Sequence, residues 1–121
     1  MTARHLETSV RSRAGIPVID LEGEISGVSE EALDTAFAEA SRQESDAIVL
    51  NFTGVGYINS TGIALIVGLL TQARTSGARL IATGLSEHFT QIFQITRLAD
   101  FITLCANEEA AVAKVQTPYQ S

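Results

Sequence analysis

The 121-residue chain has no tryptophan, one cysteine, one methionine, two prolines and a single lysine, Lys114. Each scarcity removes a class of function. A lone thiol makes neither an intrachain disulfide nor a cysteine-based zinc site. Cys105 lies in the apolar run Ile102–Ala106, where a buried, inert thiol is expected. Eight basic residues stand against fourteen acidic ones, a net charge of −6, and the arginines are scattered. Nucleic-acid binding needs clustered cations, so no nucleic-acid partner is expected. The two histidines, His5 and His88, do not share metal-ligand spacing, which leaves no metal site to propose. The longest apolar run, Ile63 to Val67, resumes after Gly68 and is too short to span a bilayer. The opening residues carry no apolar stretch, so neither a signal peptide nor direct membrane insertion is expected, and the expected location is the cytoplasm.

What is present reads as one α/β domain over 1–121, with a core from about 5 to 115 and a frayed tail at 116–121. His5 to Arg13 reads as an edge strand, Ala14-Gly15 as a hairpin turn, and Ile16 to Leu21 as the second strand. Gly23 to Gly27 reads as a loop. Ser29 then caps a helix with Glu30 and Glu31 in its first turn and Leu33, Ala36, Phe37 and Ala40 on one face. Asp46 to Phe52 predicts a strand buried on both faces, followed by a crossing segment from Thr53 to Ile58. A helix is expected from about Ser60 to Ser76, stopped by Gly77, then a strand from Ala78 to Thr83. Ser86 caps a short helix, Phe101 to Cys105 forms a last strand, and Asn107 caps a final helix. The order β-β-α-β-α-β-α-β-α predicts a mixed four- or five-stranded sheet covered by about four helices.

The chemistry-bearing segment is Ile58-Asn59-Ser60-Thr61-Gly62-Ile63-Ala64-Leu65. It puts two hydroxyls and an amide at a helix start, where unpaired N–H groups and a positive partial charge converge. Such a place suits a phosphate, bound or covalently attached to Ser60; it also suits Asn59 or Ser60 as a plain helix cap. Along the helix, Ile63, Ile66, Val67, Leu70 and Ala73 share one face, and Ser60, Thr61, Ala64, Gly68, Thr71 and Thr75 another. The second stripe is small and uncharged. Gly68 inside a helix costs about 1 kcal/mol relative to alanine, which close approach of a partner or of a neighbouring element of the domain would offset. A nucleophile elbow needs G-x-S-x-G, and Ile58 stands where the first glycine belongs. A Ser60–His88 hydrolase pair is the one enzymatic alternative. Gly54, Gly56 and Gly62 read as turn glycines, since G-x-x-x-x-G-K-[ST] is absent, and no cofactor is expected.

Taken together, Ile48–Phe52, Asn59–Leu65 and Gly77-Ala78-Arg79-Leu80 give the chain a resemblance to the STAS domain, in particular to the anti-sigma factor antagonists. Gly23-Glu24-Ile25 matches the family's loop after the second strand, and Phe89–Phe93 and Leu98–Leu104 match its closing segments. The resemblance implies a non-enzymatic bacterial regulator of transcription and stress response that works by partner switching. In that family the unmodified protein holds a serine-kinase anti-sigma factor. Phosphorylation of the first hydroxyl in Asp-Ser-[Ser/Thr]-Gly ends the complex. Here that hydroxyl is Ser60, with Thr61 the weaker candidate. Asn59 stands where the family has an acidic residue, and Ser26 where its loop often ends in one. The implied partner surface comprises Glu24, Ile25, Ser26, Asn59, Ser60, Thr61, Gly62, Ala64, Gly68 and Thr71, on a monomer or weak homodimer. The alternative within the family is a non-switched STAS subunit of a sensory complex or a lipid-transport ATPase.

Overall fold

Ala14 and Gly15 both take positive φ, 54° and 79°, so the first two strands are joined by a two-residue turn whose twist matches that of the strands. The computed structural model describes residues 5–116. β1 (Glu7–Arg13) pairs antiparallel with β2 (Ile16–Ile25). Then follow α1 (Glu30–Ser41), β3 (Ala47–Ile58), α2 (Ser60–Ser76), β4 (Arg79–Thr83), α3 (Glu87–Ile95), β5 (Thr103–Cys105) and α4 (Glu108–Gln116). Pro17 pairs with Ser12 one step before the β2–β3 ladder begins at Val18, so its missing N–H leaves no bond unmade. Of the expected tail, Gln116 closes α4, and 117–121 lie outside the described residues.

The strands lie side by side in chain order, β1-β2-β3-β4-β5, and all pairs after the first are parallel. Parallel crossovers of one hand that step the same way deliver their helices to one face. Accordingly α1, α2 and α3 share a core: Leu33, Phe37, Ile66, Leu69, Phe89 and Phe93 pack on Ile19, Leu21, Ile48, Leu50, Phe52 and Leu80. Phe52 and Phe93 meet edge to face with ring centres 5.8 Å apart. The alternate strand residues Ile16, Val18, Ala47, Val49 and Ile81 point the other way and are covered by Ala111, Val112 and Val115 of α4. The expected mixed sheet with helices is therefore present, with five strands and, among the described residues, four α-helices.

Several local expectations are corrected. Gly23-Glu24-Ile25 is strand, not loop, and so is Thr53–Ile58, so β2 and β3 run longer than their apolar patterns suggest. Of the glycines that read as turn formers, Gly54 instead lets two strands crowd together, while Gly56 lies in the strand with open space beside it. A Cβ on Gly54 would lie 3.0 Å from the Leu21 carbonyl oxygen, and Gly23, at φ 115°, has no room for one beside the His5 carbonyl. Ser29 does not cap α1 with its side chain, which is engaged in the preceding turn. On α2 the buried row takes in Leu69, while Val67 is 44% exposed. Cys105 is half-buried, and Phe101 lies outside β5 and is exposed.

Candidate protein-docking site

β4 follows β3 only as far as Asn51↔Thr83, whereas the β2–β3 ladder continues to Ile25↔Ile58. The two strands thus form an arm that overhangs the sheet, and α2 starts from its tip. The Asn59 N–H donates to the Ile25 carbonyl at 3.1 Å, which ties the start of α2 to the end of β2. Asn59 Oδ1 accepts from the Gly62 N–H at 2.8 Å, and its carbonyl accepts from the Ile63 N–H at 2.9 Å. Asn59 is therefore the cap, and Ser60 is left free for another task. Ser60 is the first residue of α2; it is exposed, and its hydroxyl has no hydrogen-bond partner among the described residues. The first N–H groups of the helix have no acceptor within it, so positive partial charge gathers beside this hydroxyl.

The segment after β2 is held against the same turn. Ser29 Oγ accepts from the Ser26 N–H at 3.0 Å and donates to the Glu24 carbonyl at 3.2 Å, while the Ser29 N–H donates to the Ser26 carbonyl at 2.9 Å. A single-turn 3-10 segment, Gly27–Ser29, follows. A Cβ on Gly27 would lie 3.2 Å from Thr61 Cγ2, so the 24–29 and 59–62 segments form one continuous surface.

Ser60, Thr61, Ala64, Gly68 and Thr71 of the expected surface are exposed, and Glu24, Ser26 and Asn59 are half-buried. Ile25 and Gly62 are not surface residues. Ile25 lies in the core, and Gly62 packs against the Ile25 backbone. Both hold the site together from beneath. A Cβ on Gly68 would meet nothing within 4 Å, so packing within the domain does not require this glycine. The Thr71 and Thr75 hydroxyls donate back to the Val67 and Thr71 carbonyls at 3.2 and 3.0 Å. That satisfies them within the helix and leaves a small, uncharged, dry-able stripe.

The sequence reading missed three exposed apolar residues beside this surface: Val28 at 71%, Tyr57 at 52% and Val67 at 44% exposure. Val28 falls between turn residues and Tyr57 between glycine and the arm's tip, where no amphipathic period marks a face. No hydrogen bond joins Ser60 to His88, whose exposed ring lies tilted against Phe89. The displaced titrations sit on the opposite face of the sheet. There the Arg11 guanidinium binds Glu108 and Asp20, and Arg13 also reaches Glu108. Bonding to Arg11 holds the Glu108 carboxyl at about 2 and lowers that of Asp20. Among the described residues no helix is long and apolar enough to cross a membrane.

Comparison with known proteins gives a consistent picture. The STAS domain family model matches residues 7–111. The anti-sigma-B factor antagonist of Bacillus subtilis is 30% identical over 94 residues, which cover 78% of this chain and 85% of that protein. The crystal structure of an anti-sigma factor antagonist from Mycobacterium paratuberculosis superposes with a TM-score of 0.74 at 21% identity, covering 92% of this chain and 94% of the other. The Bacillus cell fate determinant SpoIIAA in its phosphorylated form superposes with a TM-score of 0.67 at 23% identity, covering 90% and 99%.

Proposed function

The chain belongs to the STAS domain family, and on that premise we propose that it is an anti-sigma factor antagonist that captures a serine-kinase anti-sigma factor with the surface around Ser60. Phosphorylation of Ser60 releases the partner. The observation that carries this reading is the free, exposed Ser60 hydroxyl at the start of α2, with Asn59 already serving as the cap. The uncharged stripe of Thr61, Ala64, Gly68 and Thr71 continues from it, flanked by Val28 and Tyr57. Small side chains let a partner backbone approach, and the apolar flanks supply buried area. A phosphate adds a charge of about −1.5 to −2, which the helix start tolerates but the partner has to desolvate. The switch therefore acts across the interface and leaves the fold intact. The protein acts by binding, and no turnover is assigned to it.

A second reading rests on one residue. Asn59, uncharged and engaged with Gly62, places no carboxylate beside Ser60 to position an incoming kinase nucleotide. On that reading the same surface binds a STAS-assembly or transporter-ATPase partner without modification. One experiment separates the two. The chain is incubated with the serine-kinase anti-sigma factor of the same genome and ATP, and the product is mapped by mass spectrometry. Phosphate on Ser60, binding retained in Ser60→Ala and lost in Ser60→Asp support the switch. Stable binding to that kinase with no phosphate keeps the capture and overturns the switch, whereas capture of a STAS-assembly or transporter-ATPase protein in its place supports the second reading. Phosphate elsewhere, or no binding at all, overturns the first.

A further inference from the structure

β1 is an edge strand, paired through one side only. In a two-residue hairpin the closing pair, here Arg13 and Ile16, exchanges both backbone bonds, and the pattern then alternates along the strand. Glu7, Ser9, Arg11 and Arg13 accordingly turn their backbone groups towards β2. Thr8, Val10 and Ser12 turn theirs outward, away from the sheet. The register against β2 runs unbroken from Glu7 to Arg13, and the strand carries no proline or bulge; its edge charges are Glu7, Arg11 and Arg13.

The side chains of this edge are complementary to themselves. When two identical strands pair antiparallel about Val10, each Val10 faces its counterpart, Thr8 faces Ser12, and Ser9 faces Arg11. Glu7 faces Arg13. Glu7 is exposed and forms no ion pair among the described residues. The Arg13 guanidinium, 44% exposed, reaches Glu108 with one nitrogen and keeps donors to spare. Along β1 itself no like charges stand directly opposite one another in this register, and the outward-facing residues pair with one another as an antiparallel ladder requires. A shift that centres the pairing on Arg11 instead sets that guanidinium against its own counterpart.

We propose that β1 is a self-association edge: a second copy of this chain adds antiparallel at Glu7–Arg13, making one continuous sheet across the dimer. β1 is separated from β3 by β2, so the α2 surface of each copy stays open and the assembly presents two Ser60 turns. Edge pairing buries little area, so the association is weak and shows itself at high protein concentration. The charge on Glu7 and the outward N–H of Ser12 are the groups to remove.

The test is sedimentation equilibrium of the full chain up to about 1 mM, with deuterium exchange of backbone amides at low and high concentration. A dimer is expected, with added protection at Thr8, Val10 and Ser12 as concentration rises. Glu7→Arg sets two guanidinium groups face to face, and Ser12→Pro removes an outward donor while sparing the bonds to β2. Each is expected to weaken the dimer by about tenfold or more. Ser12→Pro should do so at an unchanged melting temperature, and Glu7→Arg, which faces Glu22 across the hairpin, with no loss of it. If Ser12→Pro melts early, Glu7→Arg decides, because Glu7 faces only Glu22 across the hairpin and its replacement breaks no ion pair among the described residues. A monomer throughout the range, a dimer that Glu7→Arg leaves intact, or protection confined to other amides overturns the proposal.

Discussion

Gly62 lies so close under Ile25 that a Cβ on it would collide with the Ile25 carbonyl oxygen. That contact seats the first turn of α2 on the end of β2, and neither a side-chain rotation nor a small shift relieves an added methyl group there. Gly62→Ala is expected to cost about 1–3 kcal/mol of stability in urea denaturation. It should also weaken partner capture, by moving the Ser60 turn away from the 24–29 segment. A variant as stable as the parent would mean that the two segments are not clamped.

Gly68 makes the opposite case. Its surroundings are open, so Gly68→Ala is expected to stabilise the domain by about 0.5–1 kcal/mol through helix propensity alone. Gly68→Leu should also fold, yet bind the partner more weakly, because the stripe loses its clearance. Denaturation and partner capture on the same two variants check both halves. Unchanged capture by a folded Gly68→Leu protein takes the stripe out of the interface.

Acid should loosen α4. Bonding to Arg11 depresses the Glu108 carboxyl from its ordinary 4.5 to about 2. A depressed carboxyl stabilises the fold while ionised, so its contribution is complete above about 4.5 and is lost as pH falls towards about 2. Asp20, lowered by the same guanidinium, acts with the same sign. Glu108→Gln is expected to cost on the order of 1 kcal/mol or less at neutral pH, since Arg11 is partly exposed. It should also flatten the acid limb of stability against pH. Parallel acid limbs in parent and variant would show that the ion pairs contribute nothing.

Where burial dictated residue type, the sequence was legible. Ile48 to Leu50 could only be a covered strand, and Leu33, Phe37 and Ala40 could only be one face of a helix. The caps at Ser86 and Asn107 followed from chemistry as local as an oxygen and an N–H three residues on. Less legible was the arm. Gly23 and Gly54 are good turn residues, and nothing local says that neighbouring backbone will need them to pass closely. Ser29 failed as a cap for a related reason: its hydroxyl found the Ser26 N–H and the Glu24 carbonyl before the helix began. At the site, Ser60 was visible from its neighbours. That Ile25 and Gly62 lie beneath the surface depends on a contact between segments far apart in sequence.

Strand order has a kinetic meaning. Each strand lies beside the one made just before it, so every step of the sheet closes a short loop and can form as soon as its crossover helix exists. α4 is different. It packs back across the sheet, and Glu108 reaches Arg11 over a span of 97 residues. A chain emerging in order can therefore assemble α1 to α3 on their shared face while Ile16, Val18 and Val49 remain uncovered. α4, made after the other three, is the lid on that remaining apolar strip, and a nascent chain stalled before it would be sticky on that side.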